Sequence, residues 1–231
     1  MNPAKIRFDH INQRITSAFN SISEEIETNN TVKLLAVSKR HSVEKIRQLY
    51  ELGQRDFAES YLQEALEKIR QTADLQITWH FIGPIQSNKT REIARHFNWV
   101  HSVERLKIAH RLSEQRTAEQ PPLNVCLQVN IDQEAQKSGF SAVQLREQFT
   151  AIIRLPRLHI RGLMAIPKRR TDMAEQRKVF ARLRTLKDEL NQLHTLNMDT
   201  LSMGMSGDLE AAIAEGATIV RIGTASVSYT H

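Results

Sequence analysis

Apolar residues recur at three- and four-residue steps through Phe8, Ile11, Ile15, Phe19, Ile22 and Ile26. That spacing lines one face of an α-helix, and Asn29 and Asn30 mark its stop. From there the pattern alternates. Short runs rich in branched and aromatic residues predict strands at 33–37, 55–58, 77–82, 99–101, 124–129, 159–163, 200–202 and 219–222. Helical periodicity predicts helices between them at 43–52, 61–70, 89–97, 105–116, 142–153, 173–193 and 209–214. A helix between each consecutive pair of strands implies parallel pairing through crossovers. Eight such units imply a closed α/β (β/α)8 TIM barrel, here with an extra N-terminal helix. No break in composition marks a boundary, so one domain over 1–231 is expected. Gln120, Pro121 and Pro122 read as the loop into strand five rather than a linker.

Composition narrows the class. A hydrophobic fraction of 40% with 25% charged residues is that of an ordinary globular chain. No run approaches the ~20 apolar residues of a membrane span, and Met1 to Phe8 does not read as a secretory signal. The single Cys126 excludes an internal disulfide framework and any multi-cysteine metal site. The expected compartment is the cytoplasm, with no membrane partner. A net charge of +6 favours anionic ligands. Lys168, Arg169 and Arg170 form the tight basic triplet and read as a solvated loop. Aromatic residues are few and scattered, so no nucleic-acid surface is expected.

In such a barrel, chemistry sits on the loops after the strands' C-terminal ends. Lys39 follows strand one directly. A partly desolvated lysine there supplies a neutral amine able to attack an aldehyde; taken alone, it reads better as a solvated surface lysine. Gly204-Met205-Ser206-Gly207 lies between strand seven and a helix, where backbone N–H groups and a hydroxyl can meet an anion. The plain alternative is a helix entry with a Ser206 N-cap. Asp208 and Glu210 would repel an anion if they faced it, and Asp208 breaks the glycine-x-serine-x-glycine pattern of a hydrolase elbow. Arg221-Ile222-Gly223-Thr224 offers a second small-residue turn after strand eight. Two donor-rich turns after strands seven and eight are where barrels hold phosphates, so a phosphorylated ligand is expected. Lys137 reads either as a second amine at the mouth or as a salt bridge to Glu134. His80 reads as a ring-stacking residue or a satisfied core histidine, and Cys126 as a small buried hydrophobe.

These residues also carry a family resemblance over nearly the whole chain. Leu34-Leu35-Ala36-Val37-Ser38-Lys39, Trp79-His80-Phe81-Ile82-Gly83-Pro84-Ile85-Gln86-Ser87-Asn88-Lys89 and Asn130 with Glu134, Lys137 and Gly139 stand in the first half of that pattern. Arg161-Gly162-Leu163-Met164-Ala165-Ile166-Pro167, Leu201-Ser202-Met203-Gly204-Met205-Ser206 and Val220-Arg221-Ile222-Gly223-Thr224-Ala225 complete it in order. The chain resembles the pyridoxal phosphate homeostasis proteins. The resemblance implies a barrel like the N-terminal domain of alanine racemase and a fold-type III site for pyridoxal 5′-phosphate (PLP). It implies Lys39 as the Schiff-base lysine, Ser206, Gly223 and Thr224 around the phosphate, and Arg221 facing the pyridine nitrogen. The chain departs from the family at Ala58 and Ser60, where glycine and asparagine are usual, at Arg40-His41-Ser42, and at its short C-terminus.

A protonated arginine does not readily give the pyridine nitrogen a proton, which weakens the electron sink that PLP catalysis needs. Alanine racemases also add a second domain bearing a catalytic tyrosine, and this chain ends just past its eighth strand. The expectation is a non-enzymatic PLP carrier for intracellular PLP homeostasis, monomeric, with apo PLP-dependent enzymes as recipients, no metal and no catalytic residues. The alternatives are a small PLP-dependent amino-acid racemase, or an interaction protein with a basic surface.

Overall fold

A computed structural model describes residues 3–23 and 31–223. Eight strands form a closed, all-parallel barrel in chain order. They are β1 (Lys33–Val37), β2 (Asp56–Glu59), β3 (Thr78–Phe81), β4 (Trp99–Val103), β5 (Leu123–Gln128), β6 (Leu158–Met164), β7 (Thr200–Ser202) and β8 (Ile219–Gly223). Helix α1 (Pro3–Ser23) precedes the barrel and opens on a proline, whose missing N–H is not needed in a first turn. The crossovers are α2 (Val43–Glu51), α3 (Leu62–Gln71), α4 (Thr90–His96), α5 (Leu106–Gln115), α6 (Ala142–Ile153), α7 (Met173–His194) and α8 (Leu209–Ala214). Ser141 and Gln144 close a capping box on α6, and Asp172 caps α7 through the Glu175 N–H.

The predicted elements stand, with shifts at their ends. β2 runs one residue further than its apolar stretch, to Glu59, because Glu59 pairs with Phe81 and its side chain is buried. β4 extends to Val103 past a register shift. The predicted helix from 89 is a 3-10 turn, Ser87–Lys89, followed by α4. Ile26, Asn29 and Asn30 lie outside the described residues.

Side chains alternate with the two-residue period of the strands. The outward set includes Leu34, Ala36, Phe57, Phe81, Val100, Val125, Leu127, Leu163, Leu201, Val220 and Ile222 and packs with the helices into one large core. The intervening positions face inward. Leu35, Val37, Ala58 and Ile219 form one small apolar cluster there, and Trp99, Cys126 and Met164 another. The remaining inward positions include His80, His101, Ser202 and Arg221, all buried.

β1 pairs with β8 along its whole length, from Lys33 opposite Ile219 to Val37 opposite Gly223. That register closes the barrel and sets the turn at 38–39 beside the end of β8. Gly162 fixes another approach: a Cβ there would stand 1.7 Å from the Thr200 carbonyl oxygen of β7. Gly162→Ala should therefore cost about 3 kcal/mol or more of stability, read from urea unfolding; a change within experimental error would show that β6 and β7 can separate freely.

Candidate functional site

The C-terminal ends of the strands gather Ser38, Lys39, Glu59, Ala165, Met203–Asp208 and Gly223 on one rim. Ser38 is fully buried. Its N–H donates to the Ala58 carbonyl at 2.9 Å, its hydroxyl donates to Glu59 Oε1 at 2.7 Å, and its carbonyl accepts from Lys68 Nζ at 2.7 Å. On the other side of Lys39, the Arg40 N–H donates to Glu64 Oε1 at 2.5 Å. Arg40 itself has a φ of +62°, a left-handed conformation held by these contacts. The backbone of Lys39 is thus pinned on both sides while its side chain is exposed. Partial desolvation of Lys39 does not hold: β1 ends at Val37, so residue 39 stands past the inner wall.

Lys68 Nζ also meets Glu59 Oε1 at 2.7 Å and Glu64 Oε1 at 2.6 Å. Burial pushes the Glu59 carboxyl up, and hydrogen bonds from Lys68 and Ser38 pull it back only in part.

The two expected phosphate turns stand side by side at the ends of β7 and β8. Gly204, at φ +95°, lets α8 approach; a Cβ there would fall 2.6 Å from the Ala212 methyl. Gly207 and Gly223 differ. Among the described residues no atom lies within 4 Å of where a Cβ would stand on either, and neither has a positive φ. No packing among the described residues therefore demands a glycine at either position, which leaves room for a ligand beside their backbone. Ser206 lies between Met205 and Gly207 and is half-buried. It is not the N-cap of α8: Asp208 is, and its carboxylate turns back to accept from the Met205 N–H at 2.6 Å. Burial raises the Asp208 carboxyl. Glu210 points to α1, where Arg14 holds both its oxygens at 2.8 and 2.9 Å and also donates to the Ser206 carbonyl at 3.1 Å. Glu210 is thus engaged away from the turn, whereas Asp208 turns into it and occupies the Met205 N–H. Thr224 lies outside the described residues.

Arg221 sits inside the barrel, 4% exposed. Its guanidinium reaches the ends of β6 and β7, donating to the Ser202 carbonyl at 2.6 Å, the Ser202 hydroxyl at 2.9 Å and the Ala165 carbonyl at 2.9 Å. Burial lowers its pKa to about 10, so it stays cationic at neutral pH. The contact continues inward. Ser202 Oγ lies 2.7 Å from His101 Nδ1, His101 Nε2 lies 2.9 Å from His80 Nδ1, and His80 Nε2 lies 3.0 Å from Asp56 Oδ1. Lys33 Nζ closes the far end on Asp56 at 3.0 Å. His80 is therefore a satisfied core histidine, stacked on Trp99 at 5.6 Å. Sequence reasoning missed Asp56, His101 and Ser202 as site neighbours. The available signal was strand parity: polar residues at inward positions of otherwise apolar strands.

The remaining singled-out residues have structural roles. Asn130 and Gly139 close the loop after β5: Asn130 Nδ2 donates to the Glu134 and Lys137 carbonyls at 2.8 and 3.2 Å, and a Cβ on Gly139 would stand 2.6 Å from the Asn130 nitrogen. Lys137 is ion-paired to Glu134 at 2.6 Å, the plainer of its two readings. Arg170 of the basic triplet binds Asp132 at 2.7 Å, and Arg182 joins it at 3.1 Å. Cys126 is fully buried, and burial pushes its thiol up to about 12, as a core residue rather than a nucleophile. Among the described residues no cluster of histidines, cysteines or acids could hold a metal.

Two outcomes follow from these contacts. Lys68→Met should destabilise the protein by about 3–5 kcal/mol, because it leaves Glu59 buried without its partner; adding Glu59→Gln should recover part of the loss in denaturant titrations. Burial works against the Asp132 carboxylate, but hydrogen bonds from Arg170 and the Lys168 N–H, with the charges of Arg170 and Arg182, hold it at about 2. Its folded pKa lies below the unfolded value, so its stabilisation is present above about pH 4 and is lost as pH falls toward 2. Asp132→Asn should flatten stability against pH in that window, measured by urea midpoints.

A family model described as alanine racemase, N-terminal domain, matches residues 12–231. A pyridoxal phosphate homeostasis protein of Pseudomonas aeruginosa is 62% identical over 195 residues, 84% of this chain and 83% of that one. One from Vibrio cholerae is 48% identical, covering 97% of this chain and 95% of its own length. Among solved structures, PipY of Synechococcus elongatus with PLP bound superposes with a TM-score of 0.80 at 37% identity, covering 93% of this chain and all of that one. Alanine racemase of Corynebacterium glutamicum shares the fold at a TM-score of 0.64 and 17% identity, with 60% of its length covered. The closed parallel barrel is thus that of a known lineage, and the chain belongs to the alanine racemase N-terminal domain family, within it to the pyridoxal phosphate homeostasis proteins.

Proposed function

We propose that this chain binds PLP at the barrel mouth through Lys39 and serves PLP homeostasis by storing and delivering the cofactor, with no catalysis of its own. The observation that carries the reading is the register of β1 on β8. It sets the pinned Lys39 turn beside Gly223, next to a β7 turn whose Gly207 also leaves its backbone open. An amine and two open turns on one rim match a ligand with an aldehyde at one end and a phosphate at the other. Lys39 would hold the aldehyde end covalently. Ser206, Gly223 and Thr224 would hold the phosphate, and Arg221 would face the ring nitrogen. PLP supplies a reactive aldehyde and, in enzymes, an electron sink.

The chain's own residues account for restraint rather than turnover. A cationic Arg221, held by Ser202 and Ala165, withholds a proton from the ring nitrogen. Lys39 stands exposed, where water and incoming amines can reach it. The relatives matched over most of their length are named for homeostasis and not for a reaction. Apo PLP-dependent enzymes are the proposed recipients, the cytoplasm the proposed compartment and a monomer over a single domain the proposed state. No described helix is long and apolar enough to cross a membrane.

The purified protein should absorb in the visible, and borohydride reduction followed by peptide mapping should place the pyridoxyl group on Lys39. Label found only on another lysine overturns the assignment. Steady turnover of an amino acid would favour a small racemase instead. Ser206→Ala should weaken PLP binding by about 1.5–3 kcal/mol, the range for a hydrogen bond to a charged group, while leaving pyridoxal binding nearly unchanged. Equal affinity of the native chain for PLP and pyridoxal would rule out the phosphate cradle.

A further inference from the structure

We propose that Asp56, His80, His101 and Ser202 form a one-way hydrogen-bond relay that positions the Arg221 guanidinium under the cofactor ring and keeps both imidazoles neutral, each protonated on Nε2. The inference rests on the reading that PLP lies at the barrel mouth with its ring toward Arg221.

The polarity follows from the two ends. A guanidinium only donates and an ionised carboxylate only accepts. Arg221 Nη1 donates to Ser202 Oγ at 2.9 Å. The Ser202 hydroxyl has one hydrogen, and His101 Nδ1 stands 2.7 Å away to accept it. His101 must then carry its proton on Nε2, which donates to His80 Nδ1 at 2.9 Å. His80 in turn carries its proton on Nε2 and donates to Asp56 Oδ1 at 3.0 Å. Every donor meets one acceptor, and each ring holds one proton.

The chain with one more proton is worse on two counts. His101 would donate to Ser202 Oγ as Arg221 does, and the serine hydrogen would need another acceptor. Among the described residues, Ser202 Oγ bonds only to Arg221 and His101. The extra charge would also sit fully buried, between Lys33 at one end of the chain and Arg221 at the other. Asp56 faces it at the base, Trp99 lies on one ring, and the charge of Asp208 acts on Arg221. Burial lowers both histidines, His101 well below its ordinary value. A buried chain of this kind is stable only when fully satisfied.

The consequence for the site is geometric. Three of the five guanidinium N–H donors are committed to Ser202 and Ala165. Ser202 Oγ accepts from Arg221 while its own hydrogen goes to His101, and that second bond fixes where the oxygen stands. Residues on β2, β3 and β4 therefore set the orientation of a group on β8. His101 and its partners are positioning residues; they touch the cofactor only through Arg221.

Two measurements test this. Histidine-selective 15N NMR of the native chain should show His80 and His101 as neutral Nε2–H tautomers from mild acid to mild base. An imidazolium, or an Nδ1–H tautomer at either ring, overturns the relay. The second uses PLP-loaded protein. Ser202→Ala and His101→Leu should each weaken PLP binding about ten-fold, the loss of one hydrogen bond to a charged group, and shift the visible absorption maximum. The pyridoxyl label should stay on Lys39. His101→Gln should restore much of both, since its carboxamide accepts at one end and donates at the other. Native affinity and spectrum in a folded Ser202→Ala protein would also overturn the proposal, and that variant serves if His101→Leu does not fold. If the native chain takes no label at Lys39, the PLP reading fails, and the NMR result still decides the relay on its own.

Discussion

A guanidinium inside a closed barrel cannot be hydrated, so the barrel interior has to supply its acceptors. Arg221 sets that condition here. Its charge survives burial because Ser202 and Ala165 offer oxygens at hydrogen-bond distance. The condition then passes along the interior through two histidines to a carboxylate at the base of β2. The inner space is consequently divided: two small apolar clusters flank a polar diagonal, while the main apolar core lies outside the sheet against the helices. An unanswered polar group at any link would cost on the order of 1–3 kcal/mol, which makes the diagonal a unit.

The rim is organised by a second set of charges, of unequal weight. Lys68 and Glu59 are buried and hold the turn that carries Lys39. Losing Lys68 strands the Glu59 carboxylate away from water, whereas Lys68 without Glu59 keeps Glu64. The pairs nearer the surface work differently. Arg14 with Glu210 ties α1 to α8, and Arg170 with Asp132 ties the loop after β6 to the loop after β5. Such pairs contribute about 0–1 kcal/mol each. Their value lies in direction: Glu210 is drawn to α1 and leaves the Ser206–Gly207 turn free of its charge. The extra N-terminal helix thus braces the proposed phosphate turn.

The reactive side chain and its scaffold have opposite characters. Lys39 is exposed on a backbone fixed from both sides, an arrangement that suits the role proposed for it, an amine that meets a cofactor and then yields it. Arg221 is buried on a fixed network, suitable for a group that must never lose its proton or its place. The register of β1 on β8 brings the two to one mouth.

Alternating strand and helix periods by themselves determined the barrel, because outward faces must be apolar to meet the helices and that requirement is written locally, every second residue. The rim positions of Lys39, Ser206 and Gly223 were also legible, since barrel topology fixes which loops share a rim, whereas the proposed roles of Lys39 and Arg221 entered through the family resemblance. Chain ends of elements were less so: Glu59 continues β2 although its side chain reads as a stop, because only its pairing with β3 and Lys68 makes its burial tolerable. The exposure of Lys39, the turning of Glu210 away from the proposed phosphate turn, and the diagonal from Asp56 to Arg221 were decided by tertiary structure alone. Each depends on groups far apart in the chain: His101 and Ser202 lie 101 residues apart, Arg14 and Glu210 196 apart. Local patterns record which face a residue takes. They carry no record of which distant partner waits there, and for a buried polar group the partner is what sets its proton, its charge and its direction.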